Sequence, residues 1–274
     1  MNKLKRLLRK NSGRSGGTVT VRHQGGRAKR FLREIDYKRN KREVWGKVES
    51  IEYDPNRSSD VALILYEDGE RRYIIAPNGL VEGQKIISSD VAPIEPANTL
   101  PLGKIPVGTQ IHNLELRRGK GGQIVKSAGS VATLQGKDEN WVLVKLPSGE
   151  IRRFDPECFA TIGQVGRVES GTVNLKKAGR KRRMGIRPTV RGVAMHPHAH
   201  PHGGGEGKSS VGMKYPKTVY GRRAVGKTRN RKKYSNRLII TGRKKGTPNP
   251  SPPPHSSVRV IHRFPTRKPG PGCF

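Results

Sequence analysis

Between Gly46 and Val168 apolar residues gather in short runs interleaved with polar ones, and on either side they thin into stretches of Lys, Arg, Gly and Pro. The spacing within the block is that of β-strands. Val61-Ala-Leu-Ile-Leu-Tyr66 and Arg72-Tyr-Ile-Ile-Ala76 flank Glu67-Asp-Gly-Glu-Arg71, and Asp-Gly between two such runs is a strong hairpin signal. The arrangement recurs in Trp141-Val-Leu-Val-Lys-Leu146, Pro147-Ser-Gly-Glu150 and Ile151-Arg-Arg-Phe154. One hairpin design is thus used twice, each second strand carrying paired arginines and then an aromatic residue. Residues 44–53, 84–88 and 109–116 add further short strands, and Pro93, Pro96, Pro101 and Pro106 mark a stiff junction. There is no long amphipathic helix. Short strands with Gly-rich turns predict a mostly β chain of two small barrels, or a sandwich, over any βαβ architecture.

Charge then divides the chain into three. Met1–Trp45 holds 15 Lys/Arg against 3 Asp/Glu, Gly46–Val168 holds 15 against 16, and Glu169–Phe274 holds 26 against 2. A near-neutral centre able to fold alone lies between two cationic arms that self-repulsion would keep extended until a polyanion, most simply nucleic acid, neutralised them. No apolar run is long enough to span a bilayer as a helix, so a membrane partner is not expected. Met1–Lys10 has too short an apolar run for a secretory signal; its basic, acid-free composition suits an organellar targeting peptide or an RNA-binding arm equally. Cys158 and Cys273 belong to no C-x-x-C pair, so neither a disulfide framework nor a thiolate zinc site is indicated.

The arms hold the binding chemistry. Ser12–Phe31 mixes Gly with Arg, Lys and His, which lets main-chain amides approach phosphates while guanidinium groups make forked contacts. Thr18-Val-Thr-Val21 within it reads as ordered. Lys176–Arg183 and Arg222–Lys245 are denser still, and Tyr215, Tyr220 and Tyr234 are placed either to stack on bases or to pack locally. His196, His198, His200 and His202 alternate and in an extended chain would project to one side. That arrangement admits a metal-dependent hydrolase or nuclease with Glu206 as carboxylate partner, although Pro197, Pro201 and three glycines make a loop rather than rigid supports. Imidazole, Arg191 and glycine backbone tracking a folded RNA is the simpler reading. A chromatin-like architectural protein, preferring duplex DNA, is a third.

Several motifs in order resemble one family. They are Glu52-Tyr-Asp-Pro-Asn-Arg-Ser58, Ala62–Pro77, Asn98-Thr-Leu-Pro-Leu102, Ile105-Pro-Val-Gly-Thr109, His112-Asn-Leu-Glu115, Gly119-Lys-Gly-Gly-Gln123, Ser127-Ala-Gly129, Arg187–Met195 and His200-Pro-His-Gly-Gly-Gly-Glu-Gly207. Together they resemble bacterial-type large-subunit ribosomal protein L2, over roughly Ser12 to Lys245. The resemblance implies a basic arm over 1–30, an OB-fold RNA-binding domain over 31–95, an SH3-like barrel over 96–170, and an extended rRNA-binding arm over 171–245, before a Pro-rich tail over 246–274. It implies a non-enzymatic constituent of the large subunit that binds its rRNA near the peptidyl transferase centre and supports assembly and subunit association. Implied partners are large-subunit rRNA, neighbouring ribosomal proteins and small-subunit rRNA at the interface, with no small-molecule substrate and no cofactor beyond Mg2+ as an rRNA counterion. The ribosome would be that of a bacterial cytoplasm or a mitochondrial matrix, with the short amino end and unmatched tail favouring the mitochondrion.

By position, the resemblance places Arg187, Arg191, His200, His202, Gly203, Gly204, Gly205 and Glu206 against RNA. Basic clusters add Arg22, Arg27, Lys29, Arg30, Lys38 and Arg39 at the amino end. The central block adds Arg57, Arg71, Arg72, Lys120, Arg152 and Arg153. The carboxyl arm adds Arg180, Arg182, Arg183, Lys208, Arg222, Arg223, Lys227, Arg229 and Arg231. The chain departs from the family pattern at Ala199, where the family has Asp, at His196, where it has Asn, and at Gly25-Gly-Arg-Ala28, where it tends to Gly-Gly-His-Lys. Ala199 leaves the following imidazole without an orienting carboxylate.

Overall fold

The computed structural model describes residues 4–10, 12–226, 229–230 and 232–243. Lys227, Arg231 and the Pro-rich tail lie outside the described residues, and residues up to 242 form one compact unit. The amino segment contributes β1 (Lys5–Leu7), β2 (Arg14–Ser15), β3 (Thr18–Val19) and β4 (Phe31–Arg33), with β1 paired to β4 and β2 to β3. A first central sheet follows from β5 (Gly46–Glu52), β6 (Val61–Tyr66), β7 (Arg71–Ile75) and β8 (Lys85–Ile86), in the order β7-β6-β5-β8. Then come β9 (Thr99–Pro101), β10 (Gln110–His112), β11 (Leu114–Glu115), β12 (Gly122–Ile124), β13 (Ala132–Lys137), β14 (Val142–Lys145), β15 (Ile151–Phe154) and β16 (Phe159–Ile162). A last strand, β17 (Ile239–Thr241), joins the second sheet, which runs β17-β15-β14-β13-β10-β16-β9. The chain is mostly β, as its pattern predicts. Among the described residues no ladder joins the first strand of either sheet to its last.

The run Val61–Tyr66 is apolar throughout, without the alternation of a strand wet on one side, because both faces of β6 are covered. Ala62, Ile64 and Tyr66 enter one core with Val48, Ile74 and Ile86, while Val61, Leu63 and Tyr73 pack under Leu4 and Ile35. The second sheet closes over Leu100, Leu102, Ile111, Leu134, Val144, Phe154 and Ile162. Truncating one of these leucines to alanine costs about 2–5 kcal/mol.

The two predicted hairpins share one turn. Gly69 N–H donates to Tyr66 O at 2.9 Å and Tyr66 N–H to Glu70 O at 3.0 Å; Gly149 N–H donates to Leu146 O at 2.8 Å and Leu146 N–H to Glu150 O at 2.9 Å. Gly69 and Gly149 take φ of 80° and 78°, a left-handed conformation open to glycine at little cost.

A buried arginine fastens the two sheets to each other. Arg39, 3% exposed, donates from Nε to Thr99 Oγ1 at 3.2 Å, and its terminal nitrogens donate to Ala97 O at 3.1 Å and Tyr66 Oη at 3.4 Å. Main-chain bonds reinforce the seam: Gly166 N–H to Ala76 O at 2.9 Å and Asn78 N–H to Gln164 O at 2.7 Å. Arg39 was expected on RNA. It serves instead as an internal cation, because the Asp36 carboxylate, accepting its N–H at 2.8 Å, turns the chain inward there.

Candidate nucleic-acid interface

Beyond Val168 the chain has almost nothing to bury, and among its described residues only His200 and Ser235 are buried. Among the described residues its one α-helix, α1 (Ala178–Arg183), is six residues long, with no buried residue and no side-chain cap. Such a helix carrying Arg180, Lys181, Arg182 and Arg183 gains nothing from acidic neighbours and is too short to stand alone. Main-chain ties to the amino arm hold it. Ala28 N–H donates to Arg183 O at 2.8 Å, Gly25 N–H to Gly185 O at 2.9 Å and Arg187 N–H to His23 O at 3.0 Å. The two arms, expected to stay extended, are therefore tied side by side here, with Arg22, Lys29, Arg180, Arg183 and Arg187 exposed and Arg27 buried.

The histidine segment is folded rather than extended. His202 N–H donates to His200 Nδ1 at 3.0 Å, Gly203 N–H to His200 O at 2.8 Å, and Lys217 N–H to His202 Nε2 at 2.8 Å. The rings pair off, His196 with His198 at 5.1 Å and His200 with His202 at 4.7 Å, instead of projecting to one side. Pro197, Pro201 and the glycines make the turns. Gly192 is needed for space, since a Cβ there would stand 2.5 Å from the His200 ring. Glu206 is exposed and makes no ion pair among the described residues. No group of three His, Cys, Asp or Glu among the described residues could hold a metal ion.

The predicted cations sort into two kinds. Three of the central block already have acidic partners: Arg57 with Asp54 at 2.7 Å, Arg71 with Glu49 at 2.7 Å, and Arg72 with Glu70 at 2.7 Å and Asp36 at 3.0 Å. Hydrogen bonds from Arg72 and Lys41 take the Glu70 carboxyl down to about 2. Arg229 reaches Glu150 at 3.3 Å, and burial lowers the half-buried Arg152 guanidinium beside them. Arg27, expected on RNA, is buried instead, its guanidinium donating to the carbonyls of Leu8 and Arg9. Arg22, Lys29, Lys38, Lys120, Arg153, Arg180, Arg183, Arg187, Arg191, Lys208, Arg222 and Arg223 are exposed, and Arg30 and Arg182 partly so. Arg223 lies 5.0 Å over Tyr215 and Arg117 5.2 Å over Tyr234, so these two tyrosines already carry cations, while Tyr220 stands free of the body. Sequence reasoning passed over Phe31, Tyr53 and Arg167, which the fold brings beside Lys29 and Arg180 along one cavity wall. No local signal marks them, because their neighbours come from distant segments.

An acid-balanced β body with exposed cations concentrated on two joined, acid-poor arms is the constitution of a protein that binds a structured polyanion. Residues 1–88 match the family described as "Ribosomal Proteins L2, RNA binding N-terminal domain", and residues 95–221 match "Ribosomal Proteins L2, C-terminal domain". The chain is also 54% identical, over 84% of its own length and 83% of the relative's, to "Large ribosomal subunit protein uL2c" of Psilotum nudum. The chain belongs to the ribosomal protein L2 family: it is a structural constituent of the large ribosomal subunit that binds rRNA, and not an enzyme.

Proposed function

We propose that residues 1–30 and 171–245 are the principal rRNA-binding segments, and that they brace large-subunit rRNA near the peptidyl transferase centre during assembly. The exposed cations without acidic partners support this reading, since each is free to displace a counterion from a phosphate. Residues 31–95 and 96–170 act as an OB-fold and an SH3-like domain, fixing where the arms leave the body. Neighbouring ribosomal proteins and, at the subunit interface, small-subunit rRNA complete the surroundings, and the ribosome is organellar. The name of the relative from Psilotum nudum is compatible with that placement. Binding of the full chain to a large-subunit rRNA fragment, measured across a salt series, tests the reading. Six to ten phosphate contacts predict a loss of about 10³–10⁵ in affinity between about 50 and 200 mM salt, and a flat profile refutes it.

A further inference from the structure

The strongest unassigned feature is an open cavity of about 1080 Å³ between the amino segment, the loop after β5 and the start of the carboxyl arm. Eight cations and no acid line it, among them Lys29, Arg30, Arg180 and Arg183, which make no ion pair among the described residues. Charge alone would suit any polyanion. The floor is what discriminates: Phe31, Tyr53, Met184 and Ile186 are all exposed there, Tyr53 at 57% and Phe31 at 38%. A duplex makes poor use of such a surface, because it keeps its base faces stacked inside and presents only backbone, 2′-hydroxyls and base edges, with no face to lay on an aromatic ring.

The walls are built rather than incidental. Buried Asp54 accepts from Asn56 N–H at 3.0 Å and from Arg57 Nε at 2.7 Å; despite burial, which opposes it, these bonds hold its carboxyl below the usual range. The loop so shaped is pinned to the amino segment by Asn56 Nδ2 donating to Phe31 O at 2.6 Å and Arg30 donating to Pro55 O at 3.1 Å. Arg167 lies 4.8 Å over the Tyr53 ring, itself held at 3.5 Å by Asp60. Tyr53 is thereby presented as a stacking platform.

We infer that this groove captures unpaired nucleotides of rRNA, their phosphates on Lys29, Arg30, Arg180 and Arg183 and a base stacked on Tyr53 or Phe31. The inference rests on the rRNA-binding reading above and names the RNA structure recognised at one place within it. The test uses the full chain, a single-stranded oligouridylate carrying 4-thiouridine, and an A-form duplex of equal length. Crosslinks are expected at Phe31, Tyr53 or Met184 with the single strand and not with the duplex. Tyr53→Ala should lower single-strand affinity about tenfold and Tyr53→Phe should restore it, with duplex binding unchanged. Both variants are checked for an unaltered unfolding transition, and Arg180→Gln with Arg183→Gln gives a second perturbation that spares the aromatic floor and should weaken the same crosslinks. Crosslinks confined to other surfaces, or equal losses for duplex and single strand, overturn the assignment. If rRNA binds normally while the groove collects no crosslink, the groove alone is misassigned; if rRNA does not bind at all, the proposed function falls with it.

Discussion

His112 predicts an acid-sensitive core. It sits at the end of β10, fully buried, with Nδ1 donating to Gly163 O at 2.9 Å and Nε2 without a partner among the described residues. Burial pushes its pKa down to about 4, the Gly163 bond opposes the shift, and nearby Arg39 adds to it. The unfolded chain therefore takes up a proton that the folded chain refuses. Stability is fully present above about pH 6.5 and is lost as the pH falls from there toward 4, by at most about 3 kcal/mol and by about 2 kcal/mol at pH 5. Urea unfolding of the full chain, followed by tryptophan fluorescence at pH 7 and pH 5, measures the loss. In His112→Gln, which keeps a polar group but cannot titrate, overall stability should fall while the pH 7 to 5 difference shrinks by about 2 kcal/mol. The comparison isolates position 112, because the two chains differ nowhere else. Parallel pH dependences for the two proteins would refute the argument.

Arg39→Met should destabilise the full chain by about 2–4 kcal/mol in urea, since Thr99, Ala97 and Tyr66 lose their donor, yet leave the salt dependence of rRNA binding unaltered. Gly192→Ala should drive His200 from its place and raise proteolytic cutting within 192–209 without moving the main unfolding transition, because neither core reaches that loop. Removing residues 172–274 should cost the second sheet about 1–3 kcal/mol in urea unfolding by baring the β15 edge and taking Arg229 from Glu150.

The central strands were legible because their signals are local: a hairpin turn with its glycine, and apolar runs of strand length. The recurrence of paired arginines followed by an aromatic residue also carried over, since Tyr73 and Phe154 both end up in cores. Of these arginines, Arg71 and Arg72 already have acidic partners within the chain, whereas Arg153 is exposed. A count of basic residues does not see that Glu49 of β5 and Asp36 are brought to Arg71 and Arg72 by the fold, or that Glu70, two residues before Arg72, is bonded to it. Arg39 and Arg27 failed for a related reason: a lone cation in a basic stretch reads as surface, and only the tertiary fold brings carbonyl and hydroxyl acceptors around it. The histidines alternate as they would in a strand, but proline and glycine decided their path.

The least legible feature is the way the carboxyl arm is tied. Composition describes it as a free extension, yet Ile239–Thr241 returns to pair with β15 and Arg229 meets Glu150, so the arm leaves the second sheet and comes back to it. Near its start it is also bonded to the amino arm through Gly25, Ala28 and Arg187. Apart from the Arg229–Glu150 pair these ties use main-chain groups, which leaves Arg180, Arg183, Arg187 and Arg191 exposed. Closing such a loop costs only logarithmically in its length, so the tethers restrict the arm cheaply before any partner arrives. Two strongly cationic segments held together in this way repel one another, and an anion lying along both relieves that repulsion. On the proposed reading, the tethers hold unfavourable electrostatics where rRNA would remove it, so binding is coupled to relief of that repulsion in arms that are already tied in place.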